Sequence, residues 1–167
     1  NPEPMAPFFD AIVIGEAEDL LPTLIEQFQQ GLVGTSVHGP MERRRLLESM
    51  ASLPGVYVPA LVEPKPGGCT IQRLWVADMA RLQPTSGLYS PDTEFANRHL
   101  IEIARGCGRG CRFCLAGYVY RPPREQTLDR IVGWAEEGLA RKTADDQPLA
   151  GIGLVSAAVS DHSEIDR

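Results

Sequence analysis

The first third of the chain has blocks of apolar residues that predict a short α/β segment. A buried strand is predicted over residues 10–15, with a glycine at its end, and an amphipathic helix over residues 16–30. A second helix is predicted over residues 41–52, just before the break at Leu53-Pro-Gly55. A strand, a glycine turn and an acidic helix start together indicate the end of an open α/β unit.

Both predicted helices carry apolar residues at helical spacing, and we interpret these stripes as core faces. Pro22 is compatible with the first helix only if its first true turn begins near Asp19. The stripes are formed by Leu20, Leu21, Leu24, Ile25 and Phe28 in the first helix and by Leu46, Leu47 and Met50 in the second.

The last 70 residues predict a strand, a loop, a helix and a second strand. The strands are expected over residues 99–104 and 149–159, and the helix over residues 127–141. Such a βαβ order implies parallel strands with a right-handed crossover. The helix stripe is expected to contain Leu128, Ile131, Val132, Ala135 and Leu139.

A weaker region joins these two parts. Short strands are expected over residues 56–58 and 70–76, on either side of a Pro/Gly-rich stretch over residues 63–68. We therefore divide the chain into residues 1–55, a linker over residues 56–97, and residues 98–167.

The composition is that of a soluble globular protein. The 167 residues have a net charge of −6 and contain no apolar run long enough to span a membrane. The start lacks both an initiator Met and a signal-peptide pattern, and the end follows soon after a strand. We expect a cytoplasmic fragment of a longer polypeptide.

Three of the four cysteines lie within eight residues, in the run Cys107-Gly-Arg-Gly-Cys111-Arg-Phe-Cys114. Clustered cysteines without a signal peptide indicate metal or cluster ligation. A glycine-rich loop can wrap three thiolates around one iron–sulfur cubane, which leaves the fourth iron open for a substrate. Six arginines and one acid between Arg98 and Arg124 surround this loop and would tune its electrostatics.

Other interpretations of the polar residues remain open. The cysteines could hold a structural zinc ion with Cys69 or a histidine as the fourth ligand, although zinc motifs usually come as separated pairs. Cys69, His38 and His99 are more simply interpreted as packing or surface residues. His162 could cap a turn or contact a substrate, and Glu102 could face a barrel interior or pair with an arginine.

The cysteine loop resembles the signature of the radical S-adenosylmethionine (SAM) superfamily, with Phe113 in the aromatic position before the last cysteine. The run over residues 94–124, the later Val155-Ser-Ala-Ala-Val-Ser-Asp-His162, and the opening Asn1-Pro-Glu-Pro with Ile14-Gly-Glu16 resemble cobalamin-binding-domain radical SAM proteins of unsettled function. The resemblance implies the end of a Rossmann-like, cobalamin-binding-type unit, followed by the first βαβ of a partial (β/α) radical SAM barrel.

The resemblance also implies a function. Cys107, Cys111 and Cys114 would hold a 4Fe–4S cluster, and one electron from it would split SAM into methionine and a 5′-deoxyadenosyl radical that starts chemistry on a substrate. The implied SAM contacts are Phe113, Gly117, Ser156 and Ser160. Many members have Gly-Gly-Glu where this chain has Ser156-Ala-Ala-Val159. The fragment is expected to be inactive alone and to need a one-electron donor such as flavodoxin or ferredoxin.

Cobalamin is expected only in a full-length parent, because Val37-His38-Gly39 does not match the usual cobalt-ligand motif Asp-x-His-x-x-Gly. Two other functions stay open. The loop and the following Arg121-Pro-Pro-Arg124 also resemble RNA-modifying methylthiotransferase-like radical SAM enzymes, although nucleic acid is not the favoured partner of an acidic chain. A non-catalytic zinc or iron–sulfur module that docks a partner is the other alternative. No membrane partner is expected.

Overall fold

The computed structural model describes residues 2–32, 39–62 and 71–166. The chain divides into two compact units, Asn1–Val76 and Ala77–Arg167. Both are mixed α/β with small sheets, which agrees with the α/β class predicted from the sequence. Cys69, His38 and the Pro/Gly-rich stretch over residues 63–68 lie outside the described residues.

The first unit packs two helices on a small sheet. The strands β1 (Ile12–Val13) and β2 (Val56–Tyr57) are antiparallel, and Gly15 adds a parallel bridge to Leu74. The helices are α1 (Leu21–Leu32) and α2 (Pro40–Ala51). A 3₁₀ turn over Glu3–Phe8 precedes β1, and another, Pro59–Leu61, follows β2. The buried core consists of Leu20, Leu46, Leu47, Met50, Val56 and Val58.

Helix α2 agrees closely with its prediction, whereas α1 starts five residues later than expected. Pro22 lies at the second position of α1, where its missing N–H costs no helical hydrogen bond. The predicted α1 stripe is only partly a core face. Leu20 is buried and Leu24 packs on the core, but Leu21, Ile25 and Phe28 are about half exposed.

The second unit contains the predicted βαβ. The strands β3 (Arg98–Glu102) and β6 (Gly151–Val155) pair in parallel, and α4 (Leu128–Leu139) connects and covers them. The core consists of Ile101, Ile103, Ile131 and Trp134. Of the predicted α4 stripe, Val132 and Leu139 are exposed, and Trp134 and Gly138 are buried instead.

Short elements between β3 and α4 carry the cysteine loop. The strands β4 (Ala104–Arg105) and β5 (Arg124–Glu125) pair antiparallel, and the short helix α3 (Ala116–Val119) lies between them. Two further 3₁₀ turns, Met79–Arg81 and Val159–Asp161, precede β3 and follow β6. The described residues form these small sheets, and neither a Rossmann-like fold nor a barrel is established by them.

Candidate functional site

The β4–β5 pair forms a narrow base from which the cysteine loop projects. Arg105 lies opposite Arg124 in the backbone register at the end of this ladder, so the loop begins and ends at adjacent points. Gly106 makes the first turn of the loop with φ +83°, a left-handed conformation that favours glycine. A Cβ at Gly106 would overlap the carbonyl oxygen of Tyr120, so glycine is also needed for close backbone approach.

The three loop cysteines are free thiols and half-buried. The backbone N–H of Cys114 donates to the carbonyl oxygen of Cys111 at 3.1 Å, which forms a tight turn between the last two thiols. Within residues 2–32, 39–62 and 71–166, no three His, Cys, Asp or Glu side chains converge closely enough to hold a metal ion. The three thiols and their spacing suit an iron–sulfur cluster. Because the thiols do not converge, they would have to turn toward one point to bind it.

Arg109, between the first two cysteines, forms an ion pair with Asp161. Its Nε lies 2.7 Å from Oδ2 of Asp161, and its Nη2 donates to Oδ1. The hydrogen bond from Arg109 holds the pKa of the Asp161 carboxyl below its ordinary value, and the same bond raises the pKa of Arg109. Cys107 and Cys111 make smaller contributions to the raised pKa of Arg109.

A pocket of about 220 Å³ opens beside Cys107. It brings the start of the cysteine loop together with the segment that follows β6, since Cys107 and Ser156 share its wall. Its lining is Ala104, Arg105, Gly106, Cys107, Gly108, Arg109, Pro123, Arg124, Glu125, Ser156, Ala158 and Asp161. The pocket therefore combines a thiol, hydroxyl and carboxylate groups with three arginines.

The four residues that the sequence suggests as SAM contacts occupy different surroundings. Ser156 lines the pocket and accepts a hydrogen bond from the N–H of Ala158 at 3.2 Å. Phe113 is 94% exposed at the tip of the loop, and Ser160 is exposed in the turn after β6. Gly117 is buried in α3, where an added Cβ would lie 2.8 Å from the carbonyl oxygen of Arg109.

His162 holds the fold together through both of its ring nitrogens. Nδ1 accepts from the N–H of Glu164 at 3.2 Å, so Nε2 carries the proton and donates to the carbonyl oxygen of Gln126 at 3.0 Å. The side chain is 6% exposed. Of the two roles that the sequence leaves open for His162, the structure therefore favours the structural one.

Glu102 pairs with an arginine, which was one of its two expected roles. Both of its carboxylate oxygens accept from Arg105, at 2.9 and 2.8 Å, and the Arg105 side chain is 14% exposed. This bidentate pair lies at the junction of β3 and the loop. It holds Arg105 against the wall of the pocket.

The ion pair of Arg109 with Asp161 is not predicted by the sequence. The two residues are 52 positions apart, and no local spacing rule links them. The only signal was an acidic residue directly after a predicted strand, in Ser160-Asp161-His162. The pairing depends on β6 lying next to β3, which the structure supplies.

Comparison with known proteins adds evidence from the other end of the chain. Residues 1–59 match the family model described as "Radical SAM proteins, N-terminal". This match supports the radical SAM superfamily. It lies entirely outside the cysteine loop, so it is independent of the residues on which the sequence resemblance mainly rests.

One similar curated protein is an uncharacterized protein of Methanocaldococcus jannaschii, 30% identical over 162 residues. The alignment covers 97% of this chain and 30% of the relative, so the chain spans about a third of the relative's length. No solved structure matches the chain. Among the described helices, none is both long and apolar enough to cross a membrane.

Proposed function

We propose that this chain is part of a radical SAM enzyme, in which Cys107, Cys111 and Cys114 ligate a 4Fe–4S cluster that reductively cleaves SAM. The observation that carries the proposal is the family match over residues 1–59, combined with a separate cysteine loop of the required spacing in the second unit. The substrate of the resulting radical is outside the proposal. We also propose that the enzyme receives its electron from a donor such as flavodoxin or ferredoxin and that it is located in the cytoplasm.

The loop has the properties that a cluster ligand set requires. Its three cysteines form no disulfide and are partly accessible, and glycines at 106, 108 and 110 let the backbone approach a bound group closely. When bound, the cluster supplies the electron and the open iron at which SAM is cleaved. Arg109, which lies between the first two cysteines and lines the same pocket as Cys107, places a positive charge beside the negative charge that a thiolate-ligated cluster would carry.

The pocket beside Cys107 is the proposed site for the methionine end of SAM. This end carries an amino group and a carboxylate. The pocket wall carries charges of the sign opposite to each group: carboxylates on Glu125 and Asp161 face the amino group, and guanidiniums on Arg105, Arg109 and Arg124 face the carboxylate. Asp161 is already paired with Arg109, and Arg105 with Glu102, so SAM would share these side chains with their present partners. Ser156 stands at the wall nearest to the end of β6, and Phe113 would have to turn inward from solvent to lie against the adenine.

The test uses the full-length protein, reconstituted anaerobically with ferrous iron and sulfide and then reduced in the presence of SAM. We expect about four irons and four sulfides per chain, and 5′-deoxyadenosine as a product. Cys107→Ala, Cys111→Ala and Cys114→Ala should each lose the product, whereas Cys69→Ala should keep it as the matched control. Zinc without inorganic sulfide in the purified protein would contradict the proposal and support a zinc module.

A second candidate function, modification of RNA, is favoured by the surface around α3. Phe113, Tyr118 and Tyr120 are all more than half exposed, and the Arg121 guanidinium lies 5.0 Å from the Tyr118 ring centroid. Exposed aromatic rings with arginines are a surface on which unpaired bases stack. Binding to tRNA that weakens as salt rises, and weakens further in Tyr118→Ala, would support this candidate; absence of binding at low salt would exclude it.

Cobalamin is a proposal for the full-length parent only. The described part of the first unit has two antiparallel strands and one parallel bridge, and its cobalt-ligand motif is missing from the sequence. A cobalamin titration of the full-length protein, followed by its visible absorption, tests this directly.

A further inference from the structure

Arg109 is held in a fixed position by a carboxylate from another part of the second unit. Its Nε and Nη2 donate to separate oxygens of Asp161, so the two side chains meet in two parallel hydrogen bonds. A bidentate pair fixes both the position and the plane of the guanidinium, which a single contact would leave free to rotate. The cysteine loop is thereby attached to the segment that follows β6.

The anchor on the Asp161 side is itself well held. Asp161 ends the turn Val159–Asp161, and its N–H donates to the carbonyl oxygen of Ala158 at 3.1 Å. The next residue, His162, is buried with both ring nitrogens bonded to backbone groups. Asp161 therefore has little freedom to follow the loop if the loop moves.

The guanidinium also lies where a cluster ligated by the loop would feel its charge. Arg109 is two positions from Cys107 and two from Cys111 in the chain, and it lines the same pocket as Cys107. A positive charge next to ligating thiolates favours the more negative, reduced state of a cluster. The carboxylate of Asp161 determines where that charge is placed.

We propose that Asp161 is a positioning residue for the cluster: through Arg109 it keeps the cysteine loop closed and sets the guanidinium charge beside Cys107. This inference rests on the proposed function. It goes further in naming a residue outside the cysteine loop on which cluster retention and reduction potential depend.

Exposure of the pair separates this role from a contribution to folding. The Arg109 side chain is 61% exposed and that of Asp161 35%, and exposed ion pairs add little to global stability. Loss of the pair should therefore change the behaviour of the loop while leaving the unfolding transition in place.

The experiment loads full-length protein with ferrous iron and sulfide and then measures the half-life of cluster absorbance in excess chelator. We expect the half-life to fall at least threefold in Asp161→Asn and in Arg109→Gln, and no further in the double variant, since the two residues act as one contact. Asp146→Asn is the control, because it removes the exposed ion pair of Asp146 with Lys142, which lies outside the cysteine loop. Equal half-lives for Asp161→Asn and the wild type would overturn the inference.

A charge reversal separates the attachment of the loop from the placement of charge. Arg109→Asp combined with Asp161→Arg restores an ion pair but puts a carboxylate next to the thiolates. The half-life should recover toward the wild-type value, while the reduction potential should fall below it. A potential equal to that of the wild type would overturn the charge-placement part of the inference.

Failure of the proposed function gives a different result. If wild-type protein takes up no iron and sulfide, the proposed function is wrong and the inference falls with it. If the wild type and Asp161→Asn both load and retain the cluster equally, only the inference is wrong.

Discussion

The imidazole of His99 packs directly against Gly138 of α4. A Cβ at position 138 would overlap the Cγ and Cδ2 atoms of that ring. His99 lies on β3, only 1% exposed, and Gly138 is likewise buried, so neither can move aside into solvent. The close approach of helix to strand in the second unit thus depends on the absence of a side chain at one position.

Gly138→Ala should therefore destabilise the protein by about 1–3 kcal/mol, the usual cost of forcing a methyl group into a packed core. Gly133→Ala is the matched control on the same helix, because an added Cβ there meets nothing within 4 Å. That change should stabilise the protein by about 0.5–1 kcal/mol through helix propensity. Urea unfolding followed by tryptophan fluorescence measures the free energy of unfolding of both variants. An unchanged free energy of unfolding in Gly138→Ala would contradict the close packing of His99 on Gly138.

Stability should also fall at acid pH because of His99. Burial lowers the pKa of this imidazole below its ordinary 6.5, the nearby charge of Arg141 lowers it further, and Glu137 opposes them. The hydroxyl oxygen of Tyr89 lies 2.7 Å from Nδ1 of His99. Nε2 of His99 is buried without a hydrogen-bond partner among the described residues. The native state therefore holds the ring neutral.

The sign of the pH effect follows from this lowered pKa. As the pH falls below 6.5, the unfolded chain takes up a proton at His99 before the native state does. The free energy of unfolding should be flat above that pH with respect to His99 and should decrease below it. Urea titrations at pH 7.5 and 5.0 test this, and the decrease should be smaller in His99→Gln. An equal decrease in both proteins would assign the effect to other groups.

Cluster loading of the cysteine loop should tolerate alanine at Gly110 but not at Gly106. Gly106→Ala would place a Cβ against the Tyr120 carbonyl and would require a left-handed conformation that alanine disfavours, by roughly 1–2 kcal/mol. Gly110→Ala meets nothing within 4 Å. Iron and sulfide analysis after reconstitution should show a reduced content for Gly106→Ala and a normal content for Gly110→Ala. Normal loading of both would show that the turn at Gly106 is dispensable.

Ser156 and Ser160 should differ in their effect on SAM binding, although the sequence suggests both as contacts. Ser156 lines the pocket next to Cys107, whereas Ser160 is exposed beyond it. Loss of one neutral hydrogen bond, about 0.5–1.5 kcal/mol, should weaken SAM binding by a factor of about 2 to 13 in Ser156→Ala. Ser160→Ala should bind as the wild type does. Equilibrium dialysis of labelled SAM against cluster-loaded protein measures both, and the reverse order would move the site away from this pocket.

Elements whose signal is local could be predicted well from the sequence. Helix α2 lies within one residue of its predicted bounds. Pro40 favours its first turn, and the helix-breaking sequence Leu53-Pro-Gly55 follows its end. The parallel pairing of β3 with β6 also follows the predicted βαβ order. The start of α1 was predicted less accurately. Residues 17–20 form a turn, and the regular helix begins only at Leu21, just before Pro22.

Burial was predicted less well than secondary structure. Periodicity indicates which residues share a helix face, but not how wide a strip the neighbouring elements cover. Leu21, Ile25 and Phe28 therefore remain half exposed on α1 although they belong to its predicted stripe. On α4 the buried positions include Trp134 and Gly138, since β3 presents His99 to that side of the helix.

The sequence by itself determined which donor groups the cysteine loop carries, because three thiols within eight residues and the glycines between them are local facts of the chain. The tertiary structure decided which distant groups accompany those thiols. Ser156 and Cys107 share a pocket, and Asp161 meets Arg109, only because β6 lies parallel to β3 and delivers its following turn to the side of the loop. Such contacts depend on strand order, and strand order is set by the packing of the whole unit.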